Sequence, residues 1–231
     1  KEYEPNLYRS IYKIMLPGDY IAMRMTGEIA TTVPGLSEGV VWDFQENKVS
    51  DDIFSYFGFD KELIPDICPT FGVQGELLGT VAAELGLKKG IPVTYRAGDQ
   101  SNNALSLNVL NPGEVAATAG TSGVVYGVND KLNFDVLSRV NTFAHVNHTK
   151  EQPRLGTLLC INGVGILNSW IKKTIAPEGV NYEQLNRLAE SVPIGSEGIS
   201  ILPFGNGAER MFENKQVECA IFGINFNMHG K

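Results

Sequence analysis

Residues 91–128 read IPVTYRAGDQSNNALSLNVLNPGEVAATAGTSGVVYGV. The apolar run IPVTYRAG reads as a buried strand. It ends at Asp99, and QSNNALSLN that follows has the polar start of a short helix. EVAATAGTSGVVYGV then holds two β-prone runs pinched at Gly120-Thr121-Ser122-Gly123, which reads as a hairpin. Strand, helix and hairpin in succession argue for an α/β fold. In such folds ligands gather at strand ends, where Asp99 stands. Two readings of Asp99 stand side by side. It can accept a proton from a substrate hydroxyl, or it can cap the helix that follows. Gln100 offers both a donor and an acceptor, which suits a polyol, whereas Asn102 and Asn103 read as a solvated helix start. The turn from Gly120 to Gly123 also has two readings. Its backbone N–H groups and the hydroxyls of Thr121 and Ser122 can hold phosphates, or it is an ordinary tight turn. It lacks the GxxxxGK[ST] pattern, so it is not a P-loop.

The chain has 231 residues, 43% of them hydrophobic, enough to bury a substantial core. Its net charge is -7, with no run of Lys and Arg. Nucleic-acid binding is therefore not expected, because phosphate backbones need clustered positive charge. Cys68, Cys160 and Cys219 are far apart, without a CxxC pair, which fits a reducing, cytoplasmic setting. No apolar stretch reaches the ~18 residues of a membrane span. Lys1 stands first, a helical pattern follows at once, and a new apolar run starts near the other end, so the chain reads as an internal piece of a larger protein.

Local signals place most elements. Pro17-Gly18-Asp19 followed by YIAMRMT and Gly27 reads as a short helix with a proline start and a glycine stop. Residues 31–44 contain Pro and Gly and read as irregular, leading into a strand. DDIFSYFGF, LGTVAAELGL, INGVGILNSWIKKTI and NYEQLNRLAESV have helical spacing. Residues 140–147, 155–161 and ISILPF read as strands. The composition shifts at Asn111-Pro112-Gly113, giving expected domains at 1–112 and 113–231. In Asn162-Gly163-Val164-Gly165 the glycines open a helix and can admit a nucleotide, or simply allow close helix–strand packing. His145 and His148 stand in a β-like context where i and i+3 face opposite sides, so no metal site is expected. Glu209-Arg210 reads as an ion pair or polar contact, and Trp170 as core.

Five segments in order carry a resemblance to the FGGY carbohydrate kinases, closest to their xylulose-phosphorylating branch: PGDYIAMRMTGE, IPVTYRAGDQSNNAL, EVAATAGTSGVVYG, INGVGILNSW and ILPFGNGAER. The resemblance implies an actin-like ATPase fold of ribonuclease H type, with parts of two domains. Residues 1–112 would be the rear of the N-terminal sugar-binding domain and 113–231 the front of the C-terminal ATP-binding domain. It implies ATP-dependent phosphorylation of D-xylulose to D-xylulose 5-phosphate, with ribulose, rhamnulose, gluconate or glycerol as alternative acceptors. A non-catalytic nucleotide- or sugar-binding module of the same fold is the reading from another class. On this resemblance Asp99 is the base and touches the sugar with Gln100. Gly120, Thr121, Ser122, Gly123 and Gly165 line the ATP, and Mg2+ enters with it. The resemblance also implies a cytoplasmic homodimer. The family's DxGT-like phosphate strand and GGGA-type adenosine motif have no counterpart here, so the 231 residues alone are expected to lack kinase turnover. NGVG replaces the family's run of three glycines around Gly165.

Overall fold

The computed structural model describes residues 1–225. Its helices are α1 (Pro5–Ser10), α2 (Pro17–Thr26), α3 (Val33–Glu38), α4 (Asp51–Phe57), α5 (Gly79–Leu85), α6 (Asp99–Ser106), α7 (Gly165–Thr174) and α8 (Tyr182–Glu190). Its strands are β1 (Ala30–Thr31), β2 (Trp42–Asp43), β3 (Lys48–Val49), β4 (Asp66–Ile67), β5 (Val115–Ala119), β6 (Gly123–Asn129), β7 (Asn141–Ala144), β8 (Leu155–Ile161), β9 (Ser200–Leu202), β10 (Ala208–Glu209), β11 (Lys215–Gln216) and β12 (Ala220–Phe222). The largest sheet runs β5-β6-β8-β7, and four two-stranded sheets accompany it. Of these β1 pairs β4 in parallel, while β2–β3, β9–β12 and β10–β11 are antiparallel.

Contacts divide the chain into two compact units. The first holds Lys1–Val115, Gly127–Asn133 and Thr142–Thr157; the second holds Ala116–Tyr126, Phe134–Asn141 and the chain from Leu158 on.

In the first unit, local chemistry explains where helices start and stop. Pro17 opens α2, where its missing N–H costs nothing, and Gly27 closes it in the left-handed region with φ 82°. Ser50 caps α4 by accepting from the Ile53 N–H at 3.4 Å, and Asp51 and Asp52 favour the helix N-terminus. Leu36, Phe54, Leu63, Leu77, Ala82, Ala104, Val128, Phe143 and Leu155 form its core. At roughly 25 cal/mol per Å2 of apolar surface buried, such side chains hold the unit together.

Two expectations fail here. Residues 31–44 hold a helix, α3, because Thr32 accepts from the Gly35 N–H at 3.3 Å and Pro34 sits in the first turn. Proline beside glycine read as a breaker, yet proline after a threonine cap starts helices. Residues 91–97 are extended but form no regular strand. They make isolated bridges, Phe71↔Tyr95 and Glu76↔Pro92. Pro92 has no N–H to donate, and the segment instead ties to 72–77 through bonds such as Val93 N–H to Gly75 O at 2.8 Å. Asp99 thus follows an irregular extended segment, not a strand.

In the second unit, the tip of the β5–β6 hairpin meets the start of α7, and α8 begins with a reciprocal cap between Asn181 and Gln184. Neither α7 nor α8 has a fully buried residue. Trp170, expected in the core, is 46% exposed.

Candidate functional site

In the first unit a cavity of about 350 Å3 opens between the start of α2, the end of α3 and the start of α6. Asp19, Thr32, Glu38, Arg96, Gly98 and Asp99 line it. Asp99 is the first residue of α6, and the capping position before it is Gly98, which has no side chain to offer. The capping role considered for Asp99 is therefore not the one it takes. Its carboxylate is exposed at a helix N-terminus, where the backbone dipoles favour negative charge. Gln100 Nε2 donates to Asp99 Oδ2 at 3.2 Å, so the two predicted acceptor-side residues are in contact.

The position of Asp99 is set by what lies beneath it. Ser101 and Ala104 are fully buried, which anchors α6. Asn102, read from the sequence as solvated, is instead a clamp. Its Nδ2 donates to Ala97 O at 3.0 Å, and its Oδ1 accepts from the Tyr95 hydroxyl. Arg96 fixes the same segment from the other side. Its Nε lies 2.8 Å from Asp19 Oδ1, both side chains being nearly buried, and its Nη2 donates to Ala30 O at 2.6 Å. Asp19 Oδ2 also accepts from the Thr31 hydroxyl at 2.8 Å. A nearly buried pair supported by such bonds favours one geometry, and loss of either partner strands a charge. Sequence reasoning missed Asp19, Arg96 and Glu38. The available signal was a charged residue, Arg96, inside an otherwise apolar run.

Glu38 has its carboxyl packed against Gly98, where an added Cβ would lie 1.7 Å from Glu38 Cδ. Its Oε1 is buried without a hydrogen-bond partner. Burial, then the charge of Asp99, push the carboxyl up to about 7, against the Asp99 backbone N–H that favours the anion.

In the second unit, Gly120, Thr121, Ser122 and Gly123 form the hairpin tip, with Gly120 and Thr121 exposed. Gly165 N–H donates to Gly120 O at 2.8 Å and Ile166 N–H to Thr121 O at 3.2 Å. The structure thus brings Gly165 and the hairpin glycines together. Close approach demands the glycines. A Cβ on Gly165 would lie 2.2 Å from Gly120 O, and one on Gly123 would lie 2.5 Å from Val164 Cγ2. Gly163, Ile166, Leu167, Trp170, Phe204 and Cys219 help line a separate cavity of about 390 Å3 in this unit.

Glu209 and Arg210 do not pair with each other. Glu209 is fully buried and accepts from the Asn162 N–H at 3.3 Å, while Arg210 Nε donates to Ser138 O at 2.5 Å. His145 and His148 are engaged by the backbone of the first unit. His145 Nε2 is 3.0 Å from Val109 O, and His148 Nδ1 accepts from the Arg154 N–H at 3.2 Å. Burial lowers the proton affinity of both rings. Among the described residues no group of three or more His, Cys, Asp or Glu could hold a metal ion, and no helix is long and apolar enough to cross a membrane.

Residues 1–106 match the model of the FGGY family of carbohydrate kinases, N-terminal domain. The xylulose kinase of Bacillus subtilis (strain 168) is 28% identical over 226 residues, 97% of this chain and 44% of its own length. The first 106 residues carry the FGGY N-terminal domain. The likeness extends to solved structures. The crystal structure of xylulose kinase from Rhodospirillum rubrum has a TM-score of 0.81 at 25% identity, over 99% of this chain and 45% of that one. Plasmodium falciparum glycerol kinase with ADP has a TM-score of 0.76 at 17% identity, over 91% of this chain and 41% of that one. The architecture is the α/β actin-like ATPase fold expected from the sequence. The chain spans a little under half the length of the relatives it matches.

Proposed function

We propose that this chain supplies the acceptor-side base and part of the phosphate site for ATP-dependent phosphorylation of a sugar hydroxyl, with D-xylulose as acceptor and D-xylulose 5-phosphate as product. The observation that carries the reading is Asp99, an exposed carboxylate at a helix N-terminus, lining a cavity with Asp19, Glu38 and Arg96 and in contact with Gln100. Residues 1–112 would belong to the sugar-binding domain and 113–231 to the ATP-binding domain.

The chemistry follows from the groups available. The sugar hydroxyl enters the cavity and bonds to Gln100 and Asp99. Asp99 accepts its proton as the oxygen attacks the γ-phosphorus, and the bond to the β–γ bridging oxygen breaks to release ADP. A positioned base contributes roughly 10^2- to 10^4-fold in rate. Thr121 and the backbone of Gly120–Gly123 would contact the phosphates, with Gly165 holding the helix entry against that turn. Mg2+ would enter with the substrate, as the Mg2+ complex of ATP. A cytoplasmic homodimer completes the proposal.

Xylulose kinases among the relatives favour D-xylulose, while the likeness to a glycerol kinase keeps the acceptor class broad. The test uses the polypeptide carrying this sequence at the relatives' full length. A panel of D-xylulose, ribulose, rhamnulose, gluconate and glycerol is phosphorylated with ATP, and D-xylulose is expected to give the highest kcat/KM. Asp99→Asn is expected to abolish turnover while ATP binding persists. Turnover unchanged by Asp99→Asn would remove the base from the mechanism.

A further inference from the structure

We propose that Glu38 is a second carboxyl of the acceptor cavity, a positioning residue that acts through Asp99. Holding a proton, it leaves Asp99 as the unpaired negative charge of the cavity; losing that proton, it adds another beside it. The inference rests on the kinase reading above and assigns a regulator to the same site.

The geometry carries the argument. Glu38 ends α3, far in sequence from Asp99, yet its carboxyl lies directly on Gly98, the residue before Asp99, where a Cβ would meet it at 1.7 Å. One carboxyl oxygen is buried with no donor to satisfy it. A buried carboxylate oxygen without a donor is costly, and a neutral carboxyl avoids most of that cost. The charged and titratable groups facing Glu38 can be named. Asp19 and Arg96 neutralise each other at 2.8 Å. The Tyr95 phenol is neutral, pushed up to about 12 by burial and then by Glu38 itself. Asp99 is left as the uncompensated neighbour among the described residues that line the cavity. Burial and Asp99 together place the proton exchange of Glu38 near neutral pH.

The consequence is a pH-dependent field at the acceptor. The incoming phosphoryl group is anionic, and a second negative charge beside the attacking hydroxyl opposes its approach. At separations near 10 Å and intermediate dielectric, a unit charge is worth about a three- to tenfold change in rate.

The test compares pH–rate profiles of the full-length enzyme and Glu38→Gln from pH 5.5 to 9. Gln keeps the shape of the neutral carboxyl and cannot ionise. For the unsubstituted enzyme, kcat/KM for the acceptor is expected to fall about three- to tenfold as pH rises through 7. Glu38→Gln is expected to lose that limb and to exceed the unsubstituted enzyme at pH 8.5. Superimposable profiles would overturn the inference. A merely structural residue would scale the rate at every pH without removing a limb. A second measurement needs no turnover, so it separates failure of this inference from failure of the kinase reading. In the 231-residue chain, carboxyl NMR titration is expected to find Glu38 changing protonation near neutral pH, and Asp99→Asn is expected to move that midpoint down. A Glu38 midpoint at the usual carboxylate value, or one indifferent to Asp99→Asn, would overturn the coupling whatever the enzyme phosphorylates.

Discussion

Gly165→Ala is the sharpest probe of how the second unit is built, because the fold carries its own control. Gly165 and Gly79 are both the first residues of helices, α7 and α5. A Cβ on Gly79 meets nothing within 4 Å, whereas one on Gly165 lies 2.2 Å from Gly120 O and 2.9 Å from Gly120 C. To restore ordinary contact, α7 must retreat by about 1 Å from the hairpin. That retreat stretches the Gly165 N–H to Gly120 O bond, now 2.8 Å, and the Ile166 N–H to Thr121 O bond, now 3.2 Å. Two weakened hydrogen bonds cost about 0.5–1.5 kcal/mol each. Forced overpacking adds about 1–3 kcal/mol. Alanine's better helix propensity returns at most about 1 kcal/mol. Gly165→Ala is therefore expected to destabilise by about 1–6 kcal/mol. Gly79→Ala is expected to be neutral or to stabilise by about 0.4–1 kcal/mol through the unfolded state. Urea unfolding of the 231-residue chain, followed by fluorescence of Trp42 in the first unit and Trp170 in the second, measures both. Equal midpoints for the two variants would show that the helix does not need glycine against the hairpin, and the packing account of Gly165 would fail.

Three further outcomes follow from the first unit. Arg96→Ala removes a nearly buried partner of Asp19 and is expected to cost about 3–5 kcal/mol in urea unfolding, with Asp19→Ala/Arg96→Ala costing less than the sum; a loss under about 1 kcal/mol would mean the pair is dispensable. Glu38 binds its proton more tightly in the fold, at about 7 against 4.5, so its contribution is fully present below 4.5 and lost as pH rises through 7. After discounting for partial exposure this is about 1–2 kcal/mol, expected to vanish in Glu38→Gln; equal pH dependence in both proteins would contradict it. His145 and His148 bind protons less tightly in the fold, so their contribution is full above 6.5 and lost as pH falls below it. Measured in Glu38→Gln, where the opposing contribution is gone, the urea midpoint is expected to drop between pH 7.5 and 5.5, and a constant midpoint would refute the burial of neutral rings.

Helix limits were legible wherever a single residue type decides them. Gly27, Gly58 and Gly86 stop helices because the left-handed backbone they adopt is open to glycine at little cost, and Asn181 with Gln184 starts α8 by local hydrogen bonding. The extended segment at 91–97 was misread because its apolar pattern says burial but not pairing, and Pro92 cannot complete a ladder. Trp170 was misread because hydrophobicity predicts a tendency to be buried, while actual burial depends on what packs against α7.

By itself, the sequence determined most of the helices and the β5–β6 hairpin, though not α3, and it displayed Asp99 and the Gly120–Gly123 turn in the order that carries the resemblance. Local backbone sterics and short-range hydrogen bonds suffice for that, since they involve residues only a few positions apart. Only the tertiary structure decided that Glu38 lies against Gly98, that Arg96 pairs with Asp19, and that Gly165 abuts Gly120. Those contacts join distant stretches of chain, and no local propensity encodes them. They depend on close packing, which allows one arrangement of side chains in each space.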